Sequence, residues 1–468
     1  MTKARQEATI EKAPLVVIGA GPGGYAAAFR AVELGLAVTL VDPEANPGGV
    51  CLHRGCIPSK AFLHAAKLVR DAAEAKAMGL HFAAPRLDID ALRGWKDGIV
   101  ETLTGGLGGK VKQKQIRYLR GRARLSGPRE LAVDLTEGKT AALAFDQAIL
   151  ATGSRPVLPA FGADLSERIV DSTGALHPPS VPGTLLVIGG GYIGLELGSV
   201  YAALGSRVTV VEMLPQLMTG ADRDLVSQLK RRLDRQFEAI LTATKVLGLK
   251  EQKNGVKVTL QDKQGGQSSK LFDRVLVAVG RRPNIENLGL EAAGVALTDG
   301  FIKVDAERRT TAPGIYAIGD VTGQPMLAHK AAHEGQVAAA VAAGRPAAFE
   351  PRAIPAVCFT DPEIAWTGLT ETEARDQKRP IKTAKIPWRS LGRTLTLGRD
   401  DGLTKLIVDP DTDLVLGVGL AGPGAGELIG EATLAIEMAA RWQDLAFTIH
   451  AHPTLSEGIM EAAATFFA

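Results

Sequence analysis

Cysteine is nearly absent from this chain: three residues in 468. That is too few for the disulfide framework of a secreted protein. An excess of one charge is missing too. Lys plus Arg number 54 and Asp plus Glu 51, a formal net charge of +3, which makes no case for a nucleic acid or membrane partner. No apolar run reaches the length of a membrane span without interruption by Gly, Glu or Arg. Residues 1–13 have neither the apolar run of a signal peptide nor an Arg/Ser-rich transit pattern, so a cytoplasmic-type protein is expected. Aromatics are only 5% of the chain, while glycine numbers 53, which favours α/β units with many tight turns. The remaining composition, 46% hydrophobic and 22% charged, suits large cores, and the length suits about three domains.

Two of the three cysteines share one stretch, residues 48–60, GGVCLHRGCIPSK. An ideal α-helix would hold the Cα atoms of Cys51 and Cys56 about 8.6 Å apart. A strand would hold them about 17 Å apart, whereas a disulfide needs roughly 4.4–6.8 Å. A bridge therefore requires a bend. Gly55 permits one, and Pro58 suits the first turn of a helix beginning just after it. A thiolate near a helix N-terminus is stabilised and reactive. The stretch reads as a redox-active disulfide; two unrelated buried thiols are the plainer alternative. Cys358, in an apolar strand, reads as a small core residue, and no metal site is expected.

Residues 15–18, LVVI, form an apolar strand that runs into GAGPGG, with a helical pattern to Leu34, a second strand at 37–41 and then Asp42. Strand, GxGxxG, helix, strand, acid is the dinucleotide-binding fingerprint in its required context. Its glycines admit a pyrophosphate at the helix N-terminus, and Asp42 would accept from a ribose hydroxyl. The unit recurs 170 positions later in register: Gly19, Gly21, Gly24, Gly35 and Asp42 map onto Gly189, Gly191, Gly194, Gly205 and Glu212. Two units imply two dinucleotide sites. No Arg follows Glu212 closely, and a carboxylate there would repel a 2′-phosphate, so NAD is favoured over NADP.

Residues 145–156 and 274–284 are two similar strand-turn segments, which read as crossovers where the chain leaves the first domain and returns. Residues 311–320 form another strand ending in Gly319 and Asp320, and 324–329 open an alanine-rich helix. From about Phe349 strands and helices alternate without a third fingerprint, as in an α+β interface domain. Near the end, His452 and Glu457 flank a Pro-containing turn, where a carboxylate would fix the tautomer of a base; a structural histidine is the plainer alternative.

A nicotinamide site and a dithiol exchange electrons poorly without a mediator, and a flavin is one. The first fingerprint, next to the cysteines, is therefore expected to hold FAD and the second NAD. Over residues 15–457 the chain resembles the flavin-dependent pyridine-nucleotide disulfide oxidoreductases, and most of all their dihydrolipoyl dehydrogenase branch, on residues 48–60, 189–212, 311–320, 324–330 and 450–457. The resemblance implies an α/β fold of two Rossmann-like domains plus a C-terminal α+β dimerisation domain. Residues 1–152 with 274–348 would bind FAD, 153–273 NAD, and 349–468 would dimerise. It implies oxidation of protein-bound dihydrolipoamide to lipoamide, with electrons passing through Cys51–Cys56 and FAD to NAD⁺.

Residue by residue, the resemblance makes Cys51 the outer thiol and Cys56 the one beside the flavin, with Lys60 near the ring and paired with Glu196. Asp42 and Asp320 would hold the ribose and ribityl parts of FAD, with Gly49, Ala123, Gly153 and Ala328 also in that site. Gly189, Gly191, Tyr192, Ile193, Gly194, Glu212, Val246, Gly280 and Arg281 would line the NAD path. His452, oriented by Glu457, would be the acid-base and reach the disulfide of the other subunit of a homodimer. The chain shows no lipoyl domain, so the lipoyl group is expected on a partner: a lipoylated protein, the acyltransferase core of a 2-oxo acid dehydrogenase complex, or a glycine cleavage carrier.

A glutathione-reductase-like enzyme would prefer Arg near Glu212, and a mercuric reductase would need a C-terminal cysteine pair; neither is present. A redox-inactive flavoprotein scaffold would need none of Cys51, Cys56, His452 and Glu457. Many relatives carry Asn-Val at His53-Arg54, which reads here as a solvated loop pair or as a tuner of the thiols. Tyr192 reads as a nicotinamide gate or as a packed aromatic.

Overall fold

The computed structural model describes residues 11–159 and 164–467, so the first ten of the thirteen opening residues lie outside it. The chain forms two compact units. The first comprises Met1–Pro58, Gly94–Pro156 and Arg281–Glu350; the second comprises Ser59–Arg93, Val157–Gly280 and Pro351–Ala468.

In the first unit, the strand Glu11–Ile18 pairs in parallel with Val38–Asp42 on one side and with Thr140–Leu150 on the other. The strand Ile315–Ala317 extends the sheet beyond Thr140–Leu150, and Arg117–Gly127 extends it beyond Val38–Asp42. Residues 15–18 are buried in this sheet on both faces, which is why they read as an unbroken apolar run. The strands Arg117–Gly127 and Thr140–Leu150 outrun the parallel sheet and continue, through Glu130–Leu135, as an antiparallel meander. Helix Pro22–Glu33 lies against helix Ala328–Ala342, and small residues set their approach. A Cβ on Gly23 would stand 2.9 Å from the Ala331 carbonyl oxygen, and one on Gly335 would stand 2.5 Å from that of Gly23.

The second unit repeats the device. Its five-stranded parallel sheet places Thr184–Ile188 between Arg207–Val211 and Arg274–Val277. Helix Tyr192–Ala203 is buried along most of its length, so it has no polar stripe. A three-stranded antiparallel sheet, Lys245–Gln252, Gly255–Gln261 and Gln267–Phe272, accompanies it. The C-terminal part of the same unit is a five-stranded antiparallel sheet whose central strand, Val415–Gly422, carries the helix Ala425–Glu437. Its core is aliphatic around Trp388, which is fully buried and donates its ring N–H to Thr404 Oγ1 at 2.8 Å. No helix among the described residues is long and apolar enough to cross a membrane.

The two segments read as crossovers meet as the antiparallel strands Ser154–Pro156 and Arg281–Pro283, at the border of the first unit. The helix expected just after the bend at Gly55 begins at Cys56. Pro58 sits in its first turn, where its missing N–H costs no intrahelical bond.

Candidate active site

Cys51 lies in the short helix Gly49–Arg54, and Cys56 opens the helix Cys56–Glu74. Gly55 breaks the two apart at φ −143°, ψ −112°. A Cβ there would stand 2.8 Å from the Val50 carbonyl oxygen and 3.4 Å from Cys51 Cα, so the chain folds back over the Cys51 turn and only glycine admits it. Upstream, Gly49 (φ +56°) packs on the first fingerprint: its would-be Cβ meets Gly21 Cα at 2.5 Å. Gly48 N donates to the Ala20 carbonyl at 2.9 Å. The dithiol segment is therefore fastened to the glycine turn of the first nucleotide unit.

His53 and Arg54 are not a solvated loop pair. They form the last turn of the Gly49–Arg54 helix and are half-buried. His53 Nε2 lies 3.1 Å from the Asn46 carbonyl, and Arg54 pairs with Glu44. Both hold the dithiol helix to the loop that follows Asp42.

The glycines of each fingerprint divide by what a Cβ would meet. At the first and third positions it would strike backbone: Gly19 against the Ala151 carbonyl oxygen at 2.2 Å, and Gly24 against that of Gly19 at 1.8 Å. Gly189 and Gly194 repeat this at 2.3 Å and 2.2 Å, against Ala278 and Gly189. The middle glycines do not. Gly21 meets only Gly49 Cα at 3.8 Å, and Gly191 meets nothing within 4 Å. Each middle glycine is also the N-cap of a twelve-residue helix with no side-chain cap bond. Open space beside uncapped N–H groups at the positive end of a helix is a cradle for a pyrophosphate. The residues present thus fit FAD in the first unit and a nicotinamide dinucleotide in the second.

In the first unit, Asp42 is buried at the end of its strand; burial raises its pKa, against the Ala20 hydrogen bond and the charges of His53, Arg54 and Arg122. Asp320 accepts from Ser154 Oγ at 2.5 Å. Ser154 Oγ in turn accepts from Arg281 Nε at 2.8 Å, and Arg281 Nη2 donates to the Ser154 carbonyl at 2.7 Å. Arg281, expected on the NAD path, thus belongs by position to the first unit and to the surroundings of Asp320. Ala123 is half-buried in the strand Arg117–Gly127, Ala328 opens its helix, and Gly153 (φ +69°) has nothing within 4 Å of a would-be Cβ.

In the second unit, Lys60 Nζ meets Glu196 Oε2 at 2.8 Å, across 136 residues of sequence. The other oxygen, Oε1, accepts from the Phe359 N–H at 2.9 Å, and the Phe359 ring lies under Lys60 Nζ at 4.5 Å. Phe359 is a support that sequence reasoning missed; only a buried carboxylate needing a second donor hinted at it. Glu212 accepts from Gly190 N and Leu214 N, both at 2.7 Å. Tyr192, at the helix start, is 39% exposed, Ile193 is half-buried beside it, and Val246 lies in the antiparallel sheet. Gly280 (φ +128°) has open space at its would-be Cβ. Cys358 is buried next to Thr360, and burial pushes its thiol up to about 12.

In the C-terminal part, His452 Nδ1 stands 2.9 Å from Glu457 Oε1, while Glu457 Oε2 accepts from Thr454 N at 2.8 Å. These two bonds hold the Glu457 carboxyl below the ordinary glutamate range, so it is an acceptor and Nδ1 carries the hydrogen. Nε2 is left as the basic atom, on a side chain that is 77% exposed. His450 differs: Nε2 meets Glu431 at 2.7 Å and Nδ1 meets the Thr448 carbonyl at 2.8 Å, so both ring nitrogens are engaged. The acidic trio Asp222, Asp224 and Glu371 surrounds the ammonium of buried Lys405 at 2.6–2.8 Å, and Lys385 Nζ meets Asp224 at 2.9 Å and Glu371 at 3.2 Å.

Residues 13–335 match the model of the pyridine nucleotide-disulphide oxidoreductases, and residues 354–463 match the dimerisation domain of that family. Among curated proteins, the dihydrolipoyl dehydrogenase of Thermus scotoductus is 50% identical over 96% of this chain and 96% of its own length. That of Vibrio cholerae is 46% identical over 97% and 96%. Among solved structures, LpdA from Mycobacterium tuberculosis superposes with a TM-score of 0.89 at 27% identity, covering 98% of this chain and 100% of that one. The HOCl-induced flavoprotein disulfide reductase RclA from Escherichia coli, solved as a Cu(II) complex, gives 0.86 at 26% identity, covering 97% and 100%. On this evidence the chain is a member of the pyridine nucleotide-disulphide oxidoreductase family.

Proposed function

We propose that this protein is an FAD-containing, NAD⁺-dependent dihydrolipoyl dehydrogenase that works as a homodimer. The observation that carries this reading is the His452–Glu457 pair: an oriented imidazole with Nε2 available, on the dimerisation domain of a chain that also holds a CxxxxC segment against a nucleotide cradle. A scaffold or sensor has no use for such a base.

In this reading Cys51 and Cys56 form a disulfide in the resting enzyme. His452 Nε2 takes a proton from one thiol of dihydrolipoamide, and the resulting thiolate attacks Cys51 Sγ. The Cys51–Cys56 bond breaks and leaves Cys56 as a thiolate at the start of its helix, where the dipole favours negative charge. The second substrate thiol displaces Cys51, giving lipoamide and the reduced pair. Glu457 stabilises the imidazolium throughout. Bound FAD supplies the two-electron link between the reduced pair and NAD⁺.

Residues 1–156 with 281–348 serve FAD, 157–280 NAD, and 349–468 dimerisation; the expected boundaries at 152/153 and 273/274 shift because the strand Arg274–Val277 pairs with Thr184–Ile188 in the second unit and Ser154–Pro156 pairs with Arg281–Pro283 in the first. His452 acts on the disulfide of the partner subunit. Asp42, Asp320, Ser154 and Arg281 position FAD, and Glu212 recognises the NAD ribose. The lipoyl group comes on another protein, a lipoylated carrier or the acyltransferase core of a 2-oxo acid dehydrogenase complex, and the setting is cytoplasmic. The test is a steady-state comparison of dihydrolipoamide with NAD⁺ or NADP⁺, and of glutathione disulfide with NADH or NADPH. Rapid NADH production from dihydrolipoamide alone is expected. Turnover of glutathione disulfide with NADPH in its place would refute the reading.

A further inference from the structure

Among the described residues Glu334 is the least exposed carboxylate, at 0%. It stands on the helix Ala328–Ala342 and reaches the turn that carries Asp320. Its Oε2 accepts from the Gly319 N–H at 2.5 Å. Its Oε1 accepts from Arg308 Nη1 at 2.9 Å and faces Lys330 Nζ at 3.1 Å. Thr322 Oγ1 lies 3.4–3.5 Å from both oxygens and donates to the Gly319 carbonyl at 2.8 Å. Arg308 stands at φ +63°, a strained conformation for a residue with a side chain. Its other arm reaches the Asp305 carbonyl at 2.7 Å, and its guanidinium lies over the Phe349 ring. A buried carboxylate matched by two cations, with a strained residue supplying one of them, is costly unless its geometry is needed.

The connections show what that geometry serves. The same helix packs through Ala331 and Gly335 onto Gly23 and Ala27 of the fingerprint helix. Glu334 therefore joins the glycine turn of the first unit to the Gly319–Asp320 turn, the two places that must be set together for one ligand to touch both. We infer that Glu334 is a positioning residue for FAD: with Arg308 it fixes the Gly319–Asp320 turn, so that Asp320, already bonded to Ser154, points its carboxylate into the flavin site. This rests on the reading of Asp320 as an FAD ligand.

The test is titration of FAD into the stripped full-length apoprotein, followed by flavin fluorescence, for wild type, Glu334→Gln, Asp320→Asn and the double variant. Glu334→Gln should raise the Kd for FAD at least about tenfold. In the Asp320→Asn background the same change should add less than about threefold, because the two act as one element. An unchanged Kd in Glu334→Gln, or effects that multiply in full, would overturn the inference. An unchanged Kd in Asp320→Asn would overturn the reading of Asp320 and the inference with it. If Glu334→Gln yields no folded protein, Arg308→Lys keeps the charge and loses the fork; it should raise the Kd severalfold, and a wild-type Kd would count against the inference. Apoprotein melting temperatures separate the two roles: a merely structural Glu334 would lower them and leave the Kd measured well below them unchanged.

Discussion

Asp42 and Glu212 make the same pair of hydrogen bonds in two different units. Each accepts from the N–H that lies 22 residues back, just after the first fingerprint glycine: Ala20 for Asp42 and Gly190 for Glu212, both at 2.7 Å. Each also accepts from the N–H two residues ahead, Glu44 at 3.0 Å and Leu214 at 2.7 Å. A carboxylate has about four acceptor sites, so two remain for ribose hydroxyls. The acid is thus held at the strand end before any dinucleotide arrives, and the sequence repeat extends to single hydrogen bonds.

For Glu212 this predicts a strong preference for NAD⁺ over NADP⁺. Glu212→Gln keeps the shape and loses the charge; it should raise KM for NAD⁺ about tenfold and narrow the gap to NADP⁺. Initial rates with both dinucleotides check this, and a wild-type preference for NADP⁺ would contradict it.

The three cysteines should differ in reactivity. Cys358 is buried, and burial pushes its thiol up to about 12, whereas Cys51 is half-buried and Cys56 exposed. After reduction, iodoacetamide at neutral pH should label Cys51 and Cys56 and spare Cys358. Peptide mass mapping reads the outcome directly. Labelling of Cys358 at a comparable rate would contradict the assignment.

Lys405 is 0% exposed and meets Asp222, Asp224 and Glu371. Removing the buried cation of this cluster leaves Asp224 and Glu371 only Lys385 and leaves Asp222 without a cation among the described residues, and breaking a buried pair costs about 3–5 kcal/mol. Lys405→Met should therefore lower the denaturant midpoint of the C-terminal part markedly while the chain still folds in the cold. Denaturation followed by Trp fluorescence measures it. A shift within experimental error would show that water or rearrangement meets the three carboxylates.

What was legible in the sequence is what local spacing decides. The glycines at 19, 21 and 24 and at 189, 191 and 194 are six-residue patterns, and the structure assigns each of them its packing or its opening. His452 and Glu457 lie five apart across one turn, so their contact is local as well. Lys60 and Glu196 are 136 residues apart; no periodicity brings them together, and only the family resemblance did. Glu334 was invisible because an acid in an alanine-rich helix reads as a solvated residue, and its partners Arg308 and Gly319 lie on other elements. His53 and Arg54 were misplaced because the bend falls at Gly55: the helix before it is only six residues long and has no periodic signature.

The base should depend on its carboxylate in a pH-dependent way. Glu457 is held below the ordinary glutamate value of 4.5 by the Thr454 N–H first and by His452 second. A depressed acid stabilises the fold above its unfolded pKa and loses that contribution as pH falls through its folded value. The pair should therefore stay intact through neutral pH and below 4.5. Glu457→Gln should slow turnover across that range, with the loss growing on the side where the imidazolium must be stabilised. A profile parallel to that of wild type would mean that Glu457 only packs the ring.

The central claim is that His452 and the cysteine pair act together on dihydrolipoamide, each supplied by a different subunit. His452→Gln chains should retain FAD and lose activity by roughly 10²–10⁴-fold, and Cys51→Ser chains should also be inactive. The decisive measurement mixes the two under conditions of verified subunit exchange and assays NADH formation from dihydrolipoamide. The account predicts regained activity, because one of the two sites in each heterodimer then holds both an intact cysteine pair and an intact His452. Heterodimers that form and stay inactive would contradict it.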